Sequence, residues 1–598
     1  MFDKIIGSKC ISMDTRLQVL STCINHKLKF NPIIAVKLLH SLSQDFLAKF
    51  NKMSELFLRC IEFSCIESVK FLLVKYDLDP SMVYNHPIKC ASNYANVEIV
   101  KLLLDDPRVD PSVDSNYAIR AACQKGNFKV FKVLLDHPNV DPTSNNNYCM
   151  FSAAIGGHLE IVKLLLQDVR VNPQANRNIA IRVACQNGNL DIVRVLLLDG
   201  RSDPSDSDNA AIRYACIKGF TDIVQLLLMD PRVDPSVDFN TCLSFVAEYG
   251  YLEIFNMLIR DSRVDPSDCN NKALILAAQS GNIEILNMLL NDSRCDPSAN
   301  KNEALRKAAS NGKDGAIRLL LNDKRVDPSD NNSACLKSAV KYGHYSSVSI
   351  LLQDGRVDPA ASQNDAIKLA CNFGHYQVAK LLLACQTVDP SFGGNICVYA
   401  TCIQGSADIL KLLLQDNRVD PSTGNNRCFI DAANRGNLEI VRILMQDERV
   451  DPCQDNLALF NSCKGGNIII LNELLQDIRI DPSVENNQAL QLACKYGHYP
   501  IVSRLLLDPR VEPAIPNNQA LIYACECESY LKFSDNYIRI VALLLQDERV
   551  NPSEGENRAL QVAIHANAHE IVQLLVSHPK INLNNFDLTL LPADFIET

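Results

Sequence analysis

The chain has 598 residues and a formal net charge of −10, with 6% aromatic residues and no tryptophan. This balance argues against a nucleic-acid-binding protein, which would usually show a basic face and stacking aromatic side chains. No run of about 18 apolar residues is present, and the first residues lack the apolar core of a secretory signal, so we expect no contact with a membrane. The odd total of 23 cysteines favours free thiols in a reducing compartment, the cytoplasm or the nucleus.

The chain divides into a long periodic array and two short ends. Residues 1–50 have a helical apolar pattern, which we interpret as an N-terminal cap or a decayed repeat. Residues 51–582 form an array of about 17 units, because an Asp-Pro step returns every 31 residues from Asp79 to Asp451. A fixed period in this range is typical of one small unit stacked many times. Residues 583–598 have the pattern of a C-terminal partial repeat.

Each unit reads as two helices followed by an extended loop. An asparagine such as Asn116 precedes a segment of about ten residues, and a glycine such as Gly126 follows it. Asparagine is a preferred helix N-cap and glycine a preferred C-terminal residue, so this segment is predicted as helix A, capped by the asparagine. An apolar stripe such as Ile192, Val193 and Leu196 predicts a second helix, B. The Asp-Pro step then ends helix B, because proline lacks an amide donor.

Cysteine alternates with alanine three residues before the glycine, as at Cys123 and Cys185. This exchange indicates a small buried hydrophobe rather than a metal or redox site. Neighbouring helices pack about 8–10 Å apart, so two cysteines of this column in adjacent units are predicted to be too far apart for a disulfide. The tight pair Cys525 and Cys527 lies where residues 526–539 carry an insertion, and it lacks the second pair that a zinc site would need.

The combined pattern of helix A, glycine and helix B resembles the ankyrin repeat, most clearly in residues 366–383 and 489–507. The resemblance implies an all-α, ankyrin-type helical repeat solenoid with one helix–turn–helix and one short extended loop per unit. The opening Thr-Pro-Leu-His of the family is absent, and each unit is two residues shorter than usual, so the projecting fingers are expected to be stunted. Short units that end in Asp-Pro-Ser are similar to those of amoebal and giant-virus ankyrin proteins.

No pattern in the sequence points to catalysis. It contains no phosphate-binding glycine loop, no nucleophile elbow and no His-Glu-x-x-His zinc pair. We therefore expect no enzyme activity, no cofactor and no metal. The histidines that follow the glycine are interpreted as structural; they are His158, His344, His375 and His498. A basic column six residues before the glycine favours pairing with nearby carboxylates or carbonyls, with an anion-binding strip as the alternative; it comprises Arg120, Arg182, Arg213, Arg306, Lys337 and Lys368.

The resemblance also implies where a partner would bind. In ankyrin proteins the partner surface is usually the concave face, formed by the loops and the exposed end of helix A, which selects the two residues before each glycine. The predicted partner-binding residues are Lys125, Tyr249, Lys341, Tyr342, Phe373, Arg435, Lys464, Lys495 and Tyr496. We therefore expect a monomeric, non-catalytic protein–protein interaction scaffold, with no nucleic-acid partner. The alternative is a substrate-recognition adaptor of a ubiquitin ligase, since Leu591 and Pro592 are similar to the start of an F-box.

Overall fold

A computed structural model describes residues 53–526 and 534–583. Within these residues the chain forms 34 α-helices and one short 3-10 helix and contains no β-strand, which confirms the all-α prediction. The helices group as 17 A–B pairs over the described ranges. The predicted N-terminal cap (1–50), half of the insertion (527–533, with Cys527) and nearly all of the C-terminal partial repeat lie outside the described residues.

The chain divides into two compact units, of which the first ends at Asp296 and the second begins at Pro297. In the first unit, odd-numbered helices are A helices and even-numbered helices are B helices. They are α1 Met53–Glu62, α2 Ile66–Tyr76, α3 Met82–Asn93, α4 Val97–Leu104, α5 Val113–Lys125, α6 Phe128–Leu135, α7 Ser144–Gly156, α8 Leu159–Gln167, α9 Ala175–Asn187, α10 Leu190–Asp199, α11 Asp206–Lys218, α12 Thr221–Leu228, α13 Val237–Tyr249, α14 Leu252–Leu258, α15 Asp268–Ser280 and α16 Ile283–Asn291.

The second unit continues the same alternation, and a 3-10 helix over Gln454–Asn456 precedes α27. Its helices are α17 Ala299–Ser310, α18 Asp314–Leu321, α19 Asp330–Lys341, α20 Tyr345–Gln353, α21 Ala361–Phe373, α22 Tyr376–Leu383, α23 Phe392–Gln404, α24 Ala407–Leu413, α25 Thr423–Arg435, α26 Leu438–Met445, α27 Leu457–Lys464, α28 Ile468–Leu474, α29 Val484–Lys495, α30 Tyr499–Leu506, α31 Gln519–Cys525, α32 Ser534–Leu545, α33 Glu554–His565 and α34 His569–Val576. Inside each unit, every A helix packs on the A helices of the neighbouring repeats.

Most A helices begin with a turn of the opposite hand, which the sequence did not predict. In α5 the residues Asp114, Ser115 and Asn116 all lie in the left-handed region, with φ of +52°, +54° and +60°. Regular right-handed helix starts only after Asn116. A left-handed conformation costs roughly 1–2 kcal/mol per non-glycine residue, and asparagine and aspartate tolerate it best. These residue types accordingly dominate the left-handed turns, as in Asn145 and Asn146 of α7.

The asparagine that ends each left-handed turn joins two repeats, so its prediction as an N-cap is wrong. Asn116 makes no capping bond to its own helix; its Oδ1 instead accepts from the backbone N–H of Asp141 in the next repeat, at 2.9 Å. Asn178 accepts in the same way from Asp203, at 2.8 Å. The column is buried although its residues are polar. Because a buried amide needs a partner, most asparagines of the column satisfy the loop of the repeat that follows.

The cysteine column lies in the core, which confirms its interpretation as small buried hydrophobes. Burial raises the pKa of the Cys463 thiol to about 12, so this thiol stays protonated at neutral pH. All described cysteines are free. The prediction concerned pairs within one column, and the contacts that do form join cysteines of different columns in adjacent repeats. The Cys123 thiol donates to the carbonyl of Cys149, at 2.8 Å. The side chains of cysteines in adjacent repeats also contact each other. These pairs are Cys123 with Cys149, Cys216 with Cys242, Cys371 with Cys397 and Cys402 with Cys428.

The Asp-Pro loops carry a second inter-repeat contact. Arg232 binds Asp230 through two hydrogen bonds of 3.0 and 2.7 Å, and its Nη1 donates to the carbonyl of Ser202 in the preceding repeat, at 3.0 Å. The hydrogen bonds from Arg232 lower the pKa of the Asp230 carboxyl. The same arrangement recurs at Arg263 and Arg294. Each loop is therefore a compact, self-paired turn rather than a projecting finger.

The pair of Asp230 and Arg232 predicts a pH-dependent effect of the substitution Arg232→Leu. A carboxyl with a lowered pKa adds stability above its unfolded value of about 4, and this stability is lost as the pH falls through the folded value. We expect a loss of about 1–2 kcal/mol at pH 7, since Arg232 is partly exposed, and a smaller loss at an acid pH below the folded pKa of Asp230, where the bond to Ser202 still contributes. Urea unfolding at both pH values measures this difference. The control Asp230→Asn removes the pH dependence, and an equal loss at both pH values would contradict the assignment.

Candidate functional site

The C-terminal end of each A helix is fixed by the residue that follows the glycine of the next repeat. Gly343 takes φ +73°, and the ring of His375 lies so close that an added Cβ would be 2.7 Å from it. Nε2 of His375 hydrogen-bonds the carbonyl of Lys341, at 3.0 Å. Asn189 makes the equivalent bond to the carbonyl of Ala154, at 2.8 Å. Side chains in the last turn of helix A are therefore presented from a rigid support.

The histidines after the glycine all serve this purpose, as their structural interpretation predicts. His158, His344 and His498 each hydrogen-bond a backbone carbonyl of the preceding A helix, at 3.3, 3.0 and 2.9 Å. Their role is to complete the end of a neighbouring helix. A repeated architectural contact thus explains a residue type that elsewhere marks catalysis.

All nine predicted partner-binding residues are exposed; seven lie in the last turn of an A helix, and Tyr342 and Tyr496 directly follow the last helical residue. Lys125 and Tyr249 belong to the first unit. The second unit holds Lys341, Tyr342, Phe373, Arg435, Lys464, Lys495 and Tyr496. The four rings keep large exposed fractions of 52% for Tyr249, 56% for Tyr342, 46% for Phe373 and 41% for Tyr496. We call this set the helix-end residues.

Some of the helix-end residues contact each other, and others stand apart. Nζ of Lys464 lies 5.6 Å from the ring centroid of Tyr496 in the next repeat, and Nζ of Lys341 lies 5.5 Å from that of Tyr342. Lys495 lies over Tyr523, at 5.3 Å. No contact links Arg435 or Lys125 to another helix-end residue among the described parts of the chain. The helix-end residues therefore form separate cation–ring pairs rather than one closed cluster.

The sequence prediction missed the rings that support this edge. Phe373 stacks on His375 with centroids 6.1 Å apart, and Tyr249 stacks on Tyr251 at 5.9 Å. Both partners occupy the position directly after the glycine. The signal that could have found them is a pair of ring-bearing residues, one directly before and one directly after the same glycine. That glycine adopts a left-handed turn that other residues adopt only at a cost.

The charge of this edge is opposite in sign to that of the whole chain. In the repeats where helix A ends at a glycine, the two positions before that glycine hold a single carboxylate, Glu248. The cations at the same positions are Lys125, Lys218, Lys341, Arg435, Lys464 and Lys495. Cations at helix C-termini also stabilise the helix dipole, typically by 0.3–1 kcal/mol, so about this much of the pattern has a structural cause.

The basic column on helix A is engaged within the fold. Arg120 donates to the carbonyls of Asp114 and Ser115, and so it covers the left-handed turn of its own repeat. Arg213 pairs with Asp238 of the next repeat, at 3.0 Å. The remaining members have similar partners: Arg182 binds Asn176, Arg306 binds Asn300, Lys337 binds Ser362 and Lys368 lies 3.7 Å from Asp365. These contacts favour the structural interpretation of the column over an anion-binding strip.

Two other kinds of feature concern metal binding and membrane spanning. Among the described residues, no group of three or more His, Cys, Asp or Glu side chains is arranged to hold a metal ion. In the same part of the chain, none of the helices has the length and apolar character needed to cross a bilayer.

Comparison with known proteins gives the family. A search of curated proteins finds no match to this chain. The family described as "Ankyrin repeats (3 copies)" matches in overlapping windows that together run from residue 57 to residue 517, more than three quarters of the chain. The windows follow the helix pairs α1 to α30 described above. Their extent and the repeated A–B pairs agree with the sequence resemblance. This chain belongs to the ankyrin-repeat family.

Proposed function

We propose that the chain is a non-catalytic scaffold that binds a partner protein along the helix-end residues of its A helices. Ankyrin repeats are generally protein–protein interaction modules. The observation that carries the proposal is an exposed ring that recurs directly before the helix-ending glycine, at Tyr249 in the first unit and at Tyr342, Phe373 and Tyr496 in the second. Tyrosine and arginine are the residue types that most often anchor interfaces.

The support beneath these rings strengthens the proposal. The helix ends are held by hydrogen bonds such as that from Tyr537 to the carbonyl of Lys495, at 2.9 Å. Binding to a rigid surface avoids the cost of about 0.5–1.5 kcal/mol for each side chain that must be ordered on association. The stacked pair of Phe373 and His375 is ordered before a partner arrives. Such a surface suits recognition of a folded or extended protein segment.

The cations of the edge indicate the sign of the partner's charge. Helix-dipole stabilisation explains a lysine at a helix end, but it does not explain the neighbouring exposed rings. Lys464 with Tyr496, and Lys341 with Tyr342, each combine a cation and an aromatic face. We expect the partner to present carboxylates beside apolar side chains. Because these side chains are solvent-exposed, added salt should weaken the interaction.

The test compares two variants of the full chain by proximity labelling in cells. The helix-end variant carries Tyr249→Ala, Tyr342→Ala, Phe373→Ala and Tyr496→Ala. The matched control carries Phe239→Ala and Tyr345→Ala, which remove two equally exposed rings (68% and 49%) at other positions of the repeat. We expect the helix-end variant to lose proteins that both the native chain and the control retain. An identical set of labelled proteins for all three chains would remove the proposed surface.

The ubiquitin-ligase adaptor remains a prediction about the chain ends. Residues 1–50 and the segment with Leu591 and Pro592 lie outside the described residues, so the alternative depends only on sequence. A pull-down with the full chain, and with a variant carrying Leu591→Ala and Pro592→Ala, addresses it. Recovery of a ligase component by the native chain alone would favour the adaptor. The proposed reducing compartment and monomeric state are likewise predictions, which fluorescence imaging and analytical ultracentrifugation would check.

A further inference from the structure

Two neighbouring repeats of the second unit both carry glycine in their left-handed turns. At the start of α23 the turn is Gly393, Gly394 and Asn395, and at the start of α25 it begins with Gly424. A cleft of about 210 Å³ lies between these two turns. It is lined by these three glycines and by the side chains of Ile396, Tyr399 and Arg427. We call it the glycine cleft.

The left-handed conformation alone does not require these glycines. The equivalent residues of α19, Asn331 and Asn332, adopt the same conformation with φ of +52° and +56°. A Cβ added at Gly393 or Gly394 would meet its nearest atom at 3.7 or 4.0 Å, which is ordinary contact. Glycine relieves some strain, but the fold elsewhere tolerates side chains at both positions. The specific result of glycine here is open space between two repeats.

The cleft is more apolar than the same place in α17. Where α17 has Arg306, whose guanidinium covers the carbonyl of Asn300, α23 has Tyr399. Ile396 and Phe392, on the same exposed side of α23, keep 42% and 39% of their surface exposed. A cluster of exposed apolar side chains beside a concave space is the usual setting of an interface anchor.

One cation stands at the rim of the cleft. The guanidinium of Arg427 lies 5.0 Å from the ring centroid of Tyr399, which holds it over the aromatic face. Its side chain is 66% exposed, and its nearest carboxylate, Asp431, is 3.7 Å away, beyond a hydrogen bond. The planar guanidinium therefore keeps donors free for a carboxylate, a geometry that arginine binds with two parallel hydrogen bonds.

We infer that the glycine cleft is an anchor site that takes one aromatic or branched aliphatic side chain of a partner protein, with an adjacent carboxylate of that partner on Arg427. This inference rests on the proposed protein-binding function but places a contact at the opposite end of helix A from the helix-end residues. The apolar side chain would cover Ile396 and Tyr399. Burying such a side chain fully corresponds to roughly a tenfold or greater gain in affinity, enough to favour an apolar side chain at that point.

The experiment uses the full chain and a random linear peptide library displayed on phage as the probe. The filled variant carries Gly393→Asn, Gly394→Asn and Gly424→Asn, which introduce the residue type that other repeats hold in these turns. The matched control is Gly555→Asn, a glycine with φ +66° at the same turn position of α33, away from the cleft. Circular dichroism and urea midpoints check that both variants fold like the native chain.

We expect the native chain to select peptides in which Phe, Tyr, Leu or Ile adjoins Asp or Glu. Their affinity, measured by fluorescence anisotropy, should fall about tenfold or more in the filled variant and remain within about twofold in Gly555→Asn. Arg427→Gln should relax the preference for the acidic neighbour while keeping the apolar one. If the filled variant folds poorly, Tyr399→Ala serves as the second test, and it should also weaken binding about tenfold.

The outcomes separate this inference from the proposed function. Selection of the same peptides with equal affinity by the native and filled chains would overturn the glycine cleft, as would a failure to select any. If those peptides lose binding in the helix-end variant instead, the proposed function stands and the cleft does not. Loss in the filled variant alone supports the cleft as a separate contact.

Discussion

Replacing Asn178 by alanine is expected to lower the local free energy of unfolding by about 2–4 kcal/mol. Asn178 accepts from the backbone N–H of Asp203, at 2.8 Å, and donates to the carboxylate of Asp206, also at 2.8 Å. Alanine leaves the buried amide of Asp203 without its partner, and it is less tolerant of the left-handed conformation at φ +52°. Both effects act against the same contact between repeats.

Hydrogen exchange measures this effect better than a single unfolding midpoint, because long repeat arrays do not unfold in one step. The amide of Asp203 should lose protection in Asn178→Ala. The control is Asn178→Ser, since Ser333 occupies this column naturally and its Oγ accepts from Asp358, at 3.3 Å. We expect Asn178→Ser to retain most of the protection. Equal losses for both variants would mean that the hydrogen bond contributes little.

Replacing Gly219 by alanine is expected to be more damaging than replacing Gly436 by alanine, although both glycines have left-handed φ of +73° and +78°. A Cβ on Gly219 would lie 2.6 Å from the ring of Tyr251, whereas a Cβ on Gly436 would lie 3.5 Å from Asn467. Gly436→Ala should therefore cost only the conformational term of roughly 1–2 kcal/mol. Gly219→Ala should add about 1–3 kcal/mol for the clash.

Urea unfolding and exchange at each helix end measure the two losses. The double variant Gly219→Ala with Tyr251→Ala removes the ring, so it should recover the clash contribution while losing the stacking of Tyr251 on Tyr249. A second comparison, Gly219→Ala against Gly219→Asn, tests the conformational term, because asparagine tolerates the left-handed region. If Gly219→Ala and Gly436→Ala were equally destabilised, the ring of Tyr251 would have to move aside at little cost.

Much of the fold could be predicted from the sequence, because the residues that end its helices and form its loops recur at fixed positions. Gly126 marks the end of an A helix, and Asp110 with Pro111 marks the loop, since each residue type suits few backbone conformations. The role of the asparagine column could not be predicted in the same way. The residues that cap helices are also those that tolerate left-handed backbone, so Asn116 satisfies both interpretations. Only the position of the next repeat decides between them.

The candidate site shows the same division. The exposure of Tyr342 and Phe373 follows from their place just before a helix-ending glycine, and that part could be predicted. The glycine cleft was not predicted, although Gly393 and Gly394 stand in columns that most often hold asparagine, aspartate or serine. A doubled glycine in such columns is a visible signal. Its meaning depends on Tyr399 and Arg427, which three-dimensional packing brings beside it.

The inter-repeat hydrogen bond of the asparagine column has a consequence for how such a chain can grow or shrink. Each repeat carries the acceptor on one side, as at Asn209, and the donor on the other, as at Asp203. A unit with complementary ends of this kind joins head to tail without limit. Duplicating or deleting a whole 31-residue segment, for example residues 179–209, therefore recreates the same junction with no new interface to evolve.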